Sequence, residues 1–118
     1  MDNILEEFGK VLIEEVRDRS ILVFDKKTQG LMNDEYSQQL YERIKDKSDE
    51  EKQLIYDIIP NIVDLCLHNM MCLFEDHNEF QIIVDDENLN DISDGLAGEL
   101  YTSDGWISRF SEQRHTEK

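Results

Sequence analysis

The sequence predicts an all-α fold: a compact bundle of four to five helices around a central kinked helix, with one short strand or hairpin near residues 80–84. Three observations predict it. Apolar residues recur at three- and four-residue steps over long stretches. Ser48-Asp49-Glu50-Glu51 matches a helix capping box. One Pro and five Gly in 118 residues leave few interruptions. At this length the expectation is a single domain, 1–118.

The first helix follows from Ile4, Leu5, Phe8, Val11, Leu12 and Val16, with Glu6, Glu7, Lys10, Glu14, Arg17 and Asp18 on the other face. Ile21-Leu22-Val23-Phe24 extends it, and Lys26-Lys27 before Gly30 suits a helix C-terminus. Asn33 or Asp34 caps a second helix with the stripe Tyr36, Leu40, Tyr41 and Ile44. A third helix runs from the Ser48 cap toward His77 and is apolar around most of its circumference beyond Ile58. Such a helix is expected to be central and packed on more than one side. Pro60 removes an amide and crowds the carbonyl of Tyr56, so a kink or break is expected there.

Phe80-Gln81-Ile82-Ile83-Val84 reads as a strand. Asn90 can cap a helix with the stripe Ile92, Leu96 and Leu100, in which Gly95 and Gly98 call for a close approach to the central helix or a turn. A last helix begins near Ser103 or Asp104, with Trp106, Ile107 and Phe110 inward.

Charge narrows the function classes. The formal net charge is −16, and no Lys or Arg occurs between Lys52 and Arg109. Nucleic-acid binding requires basic side chains to displace phosphate counterions, and anionic membrane surfaces make the same demand, so neither is an expected partner. The complement of such a surface is a basic protein. Polar residues interrupt the apolar stretch from Leu54 to Phe74, which argues against a spanning helix, and the Met1-Asp2-Asn3 start does not resemble a signal peptide. Cys66 and Cys72 lie about 600° apart around a helix and cannot pair locally, so both are expected as buried thiols in a reducing cytoplasm.

No phosphate loop, nucleophile elbow, zinc-protease motif or CxxC pair is present. The candidate binding surface is therefore acidic and lies within 57–104: Asp85, Asp86, Glu87, Asp91, Asp94, Glu99 and Asp104, with Tyr101 or Trp106 as an aromatic anchor. The competing reading of Trp106 is a core plug under a glycine-mediated corner. An EF-hand starting at Asp86 fails, since Asp91 and Ala97 stand where the loop needs Gly and Glu. A second constellation is the four-residue row Asp64, His68, Cys72 and Asp76, whose donors suit zinc or a similar divalent metal. The leading expectation is a cytoplasmic binding module of inhibitor or immunity type that neutralises a basic partner. The alternatives are a small metal-binding protein using Asp64, His68 and Cys72, and a structural subunit whose apolar helix faces form an oligomer.

The capping box makes a direct prediction. Ser48→Ala should destabilise the protein by about 0.5–2 kcal/mol, read as a lower denaturation midpoint; an unmoved midpoint would mean that the helix does not start there.

Overall fold

The structure is a computed structural model and describes residues 3–114. Among these residues the chain is mostly helical and carries one two-stranded antiparallel hairpin, the helical bundle that the periodicities predict. Helix α1 (Ile4–Leu12) starts at Asn3, whose side chain accepts the amides of Leu5 and Glu6. It continues through a π-helical segment, Ile13–Asp18, directly into α2 (Arg19–Thr28).

The π segment decides which residues face inward. Positions four apart drift about 40° around an ordinary α-helix. Here the buried positions fall four apart throughout, at Leu5, Gly9, Ile13, Arg17, Ile21 and Asp25. The i→i+5 bonds of a π turn underwind the helix and absorb part of that drift. Two expectations are corrected as a result. Val11 and Val16, expected inward, are 57% and 45% exposed, and Arg17, expected on the polar face, is fully buried.

Gly30, at φ 79°, ends α2 in a Schellman motif: the Leu31 amide bonds the Lys26 carbonyl at 2.9 Å and the Gly30 amide bonds that of Lys27 at 3.4 Å. Asp34 caps α3 (Glu35–Ile44) by accepting the Ser37 amide at 3.0 Å. Tyr36 lies outside the core, and Ser37 is buried in its stead.

Helix α4 (Asp49–Asp76) starts at the capping box, with the Ser48 hydroxyl accepting the Glu51 amide and the Glu51 carboxylate accepting the Ser48 amide. It runs unbroken through Pro60. The carbonyl that Pro60 deprives of its partner, that of Tyr56, accepts instead from Arg114, at 3.0 Å from Nε and 2.7 Å from Nη2. The same guanidinium donates to both carboxylate oxygens of Asp25 at 2.9 Å and lies 3.3 Å from the centre of the Tyr56 ring. A residue distant in sequence thus supplies what the helix lacks, and no break is needed.

Packing on more than one side of α4 is not observed. Ile59, Pro60, Asp64, Leu67 and Met71 are buried, whereas Ile58, Ile62, Leu65, Cys66, Met70 and Leu73 are exposed. The expectation of two buried thiols therefore fails for Cys66. By length and composition α4 reaches what crossing a membrane requires, at a mean hydropathy of 1.2 over its most apolar window, but Asp64 in that stretch is held in an ion pair. The helix also sets the molecular shape. The radius of gyration is 16.7 Å and the extents are 50 × 30 × 26 Å, against about 13.5 Å for a round domain of this length.

Beyond α4, β1 (Ile83–Val84) pairs with β2 (Glu87–Asn88), Val84 facing Glu87 and Ile83 facing Asn88. The glycine-bearing helix expected from Asn90 is instead α5 (Leu89–Ile92), capped by Asn88, then a bend, then a 3-10 turn at Ala97–Leu100. A methyl group at Gly95 would meet Glu75 of α4 only at ordinary contact distance, 3.8 Å, and one at Gly98 would meet nothing, so the glycines mark the turn and not a tight packing contact. Helix α6 (Trp106–Phe110) closes the fold. The main core gathers Leu5, Ile13, Leu67, Met71, Leu89, Leu96, Leu100, Trp106 and Ile107 around the C-terminal half of α4.

The Pro60 repair predicts a coupling. Arg114→Met should cost less in a Pro60→Ala background, where the residue-60 amide reclaims the Tyr56 carbonyl. A double-mutant cycle in urea should give about 1 kcal/mol of coupling; additive costs would refute the repair.

Candidate functional site: the acidic end

The exposed carboxylates expected at a binding surface are carried by the segment that wraps the C-terminal end of α4. Asp85 and Asp86 form the two-residue loop of the hairpin, with φ of 50° and 67°. Positive φ at both loop residues is the mark of a type I′ turn, whose twist matches that of the strands. Asp tolerates this region because its short side chain can bond locally. The acidic run is therefore also turn chemistry. Asp85, Asp86, Glu87, Asp91, Asp94 and Asp104 are all exposed.

Two other acids at this end are occupied. Glu75 accepts the Ala97 amide at the start of the 3-10 turn, and its backbone carbonyl accepts the Asn90 amide group at 3.5 Å. Glu99, half-buried, accepts the Ser93 hydroxyl at 2.7 Å. The Glu75 contacts pin the wrap onto α4, and the Ser93–Glu99 bond closes the wrap on itself. Among the candidate surface acids, Glu99 is thus a scaffold residue.

Of the two aromatic candidates, Trp106 is a core residue and not a surface anchor. Trp106 is fully buried; its indole meets Phe8 edge-on with ring centres 6.0 Å apart and donates to Glu6 at 3.1 Å. A methyl group at Gly9 would collide with that indole, so the corner that admits Trp106 is made by a glycine nearly a hundred positions away. Tyr101 is half-buried against the same core, 5.7 Å from the His68 ring.

Arg109, the first base after Lys52, is paired with Glu6. Its guanidinium pKa is pushed up, first by that hydrogen bond and also by the charges of Asp104 and Glu99. Glu6 is held below the usual carboxylate range, chiefly by Arg109 and against the opposing effect of burial. The one nearby cation is therefore spoken for. The other bases of the described chain, apart from Arg114, lie between Lys10 and Lys52, on the helices before α4, in the turn that follows α3 and at the start of α4.

The metal row does not assemble. Both carboxylate oxygens of Asp64 accept from Arg17, at 2.6 Å from Nε and 3.3 Å from Nη2. That turns Asp64 away from a metal role and leaves His68 Nε2 and Cys72 Sγ as a pair 3.5 Å apart. Burial raises the Cys72 pKa, helped by Glu75 and Asp76, so the thiol form is favoured over the ligating thiolate. Among the described residues no group of three or more His, Cys, Asp or Glu side chains can hold a metal ion. His68 Nδ1 is buried with no hydrogen-bond partner among them.

What residue patterns missed is the network that Arg17 organises. Its guanidinium also donates to Asp18 at 3.1 Å, to the Ser111 hydroxyl at 2.9 Å and to the Arg114 carbonyl at 2.9 Å. Asp18 in turn accepts the Ser111 hydroxyl and the Glu112 amide, each at 2.7 Å. The four-residue row Leu5, Gly9, Ile13, Arg17, Ile21, Asp25 was its one trace in the sequence, and it is visible only if a π turn is allowed. No family model, curated protein or solved structure matches this chain.

Removing one partner of a buried ion pair strands the other charge. Arg17→Met should therefore cost about 3–5 kcal/mol, and adding Asp64→Leu should recover much of it. Urea denaturation of both variants measures this; a near-neutral single variant would mean that the pair is solvated.

Proposed function

We propose that this chain is a protein-binding module whose acidic end engages a basic protein surface. The observation that carries the reading is the segregation of charge along the folded molecule. Exposed Asp85, Asp86, Glu87, Asp91, Asp94 and Asp104 are carried by one wrap around the end of α4, within a window from Gln53 to Ser108 that has no Lys or Arg. The neighbouring Arg109 is occupied by Glu6.

Like charges gathered this way repel one another and destabilise the compact state, a cost that a basic partner offsets. The negative potential also steers a basic partner during encounter, over a range of about 8 Å at physiological salt. The hairpin presents two acids on its two-residue turn and a third, Glu87, on the paired strand, so little ordering is required when they are engaged. An inhibitor or immunity protein that covers a basic toxin or nuclease is the instance this chemistry fits. Two free thiols suit the reducing cytoplasm where such a protein would act.

The test must neutralise charge without disturbing the turn. Asn tolerates positive φ as Asp does, whereas Lys is strained there, so Asp85→Asn, Asp86→Asn and Glu87→Gln are combined. The partner is captured from the native host and its association rate measured at two salt concentrations. The triple variant should associate more slowly with an unchanged circular dichroism spectrum, and the gap should narrow at high salt. An acidic partner, or a rate indifferent to both salt and the variant, would rule the reading out.

A further inference from the structure

The uncovered face of α4 is the largest feature that the acidic surface does not explain. Ile58, Ile62, Leu65, Cys66, Met70 and Leu73 are exposed, with Ile62 and Leu65 at 57% and 59%. At about 100° per residue these positions fall on one arc of the helix, in which Ile59 alone is buried, opposite buried Pro60, Leu67 and Met71. Between Ile58 and Leu73 that arc holds no charged residue, and Asn69 is its one polar member. In a chain that is 34% charged, such a stripe stands apart from the rest of the surface.

We infer that this face is a homodimer interface, on which α4 of a second copy packs antiparallel about a two-fold axis between Leu65 and Cys66. Area is the first argument. Six roughly half-exposed side chains present on the order of 500–600 Å² per protomer, so pairing buries about 1,000–1,200 Å² in total, the size of a weak interface at the edge of the stable class. Flanking Leu54, also exposed, adds to it.

Self-complementarity is the second. Antiparallel pairing about that axis sets Ile58 opposite the partner's Leu73, Ile62 opposite the partner's Asn69, and Leu65 opposite the partner's Cys66. An isologous interface needs such a match, since one patch must fit itself.

Charge is the third. A parallel pairing would stack exposed Glu51 and Asp76, which share the stripe's side of the helix, each on its own copy. The antiparallel one sets Asp76 opposite the partner's Ile55, one helical turn from the partner's Lys52. Lys52 and Asp76 are both exposed, and neither makes an ion pair among the described residues. The antiparallel register takes Asp76 off its own copy and brings it within about one helical turn of Lys52 as well as Glu51 of the partner, with charge kept to the rim of an apolar core. This inference does not depend on the acidic surface having a basic partner.

Sedimentation of the intact protein from about 1 to 100 μM covers the weak end of affinities for interfaces near this size. The expected result is a species of twice 14.0 kDa. Ile62→Glu and Leu65→Glu alter exposed side chains, so each should sediment as a monomer with an unchanged circular dichroism spectrum. Lys52→Asp should weaken the dimer roughly two- to five-fold, and adding Asp76→Lys should restore it.

A short bismaleimide reads the register. Cys66 lies beside the axis, whereas the two copies of Cys72 would be about 20 Å apart. Cross-linking should persist in Cys72→Ser and vanish in Cys66→Ser. A wild-type protein that stays monomeric at the highest concentration, a dimer indifferent to both glutamate variants, or cross-linking through Cys72 alone would each overturn the proposal. A monomer would leave the stripe to a different protein or to lipid.

Discussion

The buried pairing of Arg17 with Asp64 is the constraint around which the remaining structure is arranged. A guanidinium removed from water must have its donors met and its charge balanced. Here Asp64 of α4 takes two of them, Asp18 and Ser111 one each, and the Arg114 carbonyl the fifth. Those partners come from the first helix, the central helix and the C-terminal segment, so one side chain ties three remote stretches together. The π-helical segment serves this arrangement by keeping Arg17 in line with Ile13 and Ile21, where an unbroken α-helix would carry it further around the axis.

Arg114 extends the same logic. Anchored on Asp25, it reaches the Tyr56 carbonyl that Pro60 leaves without an amide. A proline inside a long helix is destabilising mainly through that lost bond and the steric conflict around it. In this chain the C-terminal segment meets the lost bond, and the helix stays continuous over 28 residues. Its length in turn holds the acid-bearing wrap at one end of a 50 Å molecule, remote from the basic residues of α3 and the start of α4. Charge segregation is thus a consequence of how the long helix is kept intact.

The same helix carries two different faces. One meets the core and the Arg17 network, and the other is an uncharged stripe open to its surroundings. On the proposed reading, a chain with an acidic end and an apolar flank presents two acidic ends per assembly if the flank pairs with itself. Avidity then adds to steering without any new contact, provided that the partner offers two basic patches at a matching span.

Much was legible in the sequence because it depended on neighbours in the chain. The Ser48 capping box, the Asp34 cap, the Gly30 terminus and the helical stripes are set by hydrogen bonds and periodicity within a few residues. The acidic candidates were legible as charge. What they were placed on was not: Asp85 and Asp86 became a type I′ loop, and Glu99 became a clasp on Ser93, through pairings that form only once the hairpin and wrap exist. Trp106 was ambiguous between anchor and plug until Gly9, far away in the chain, supplied the space for it. The metal row looked intact along one helix face, and a cation from another helix took Asp64 out of it. The sequence by itself determined the helices, their ends and the sign of the surface, since these follow from local bonds and composition. Tertiary structure alone decided which polar groups are buried together and which apolar face stays uncovered, because burial depends on what the rest of the chain brings alongside.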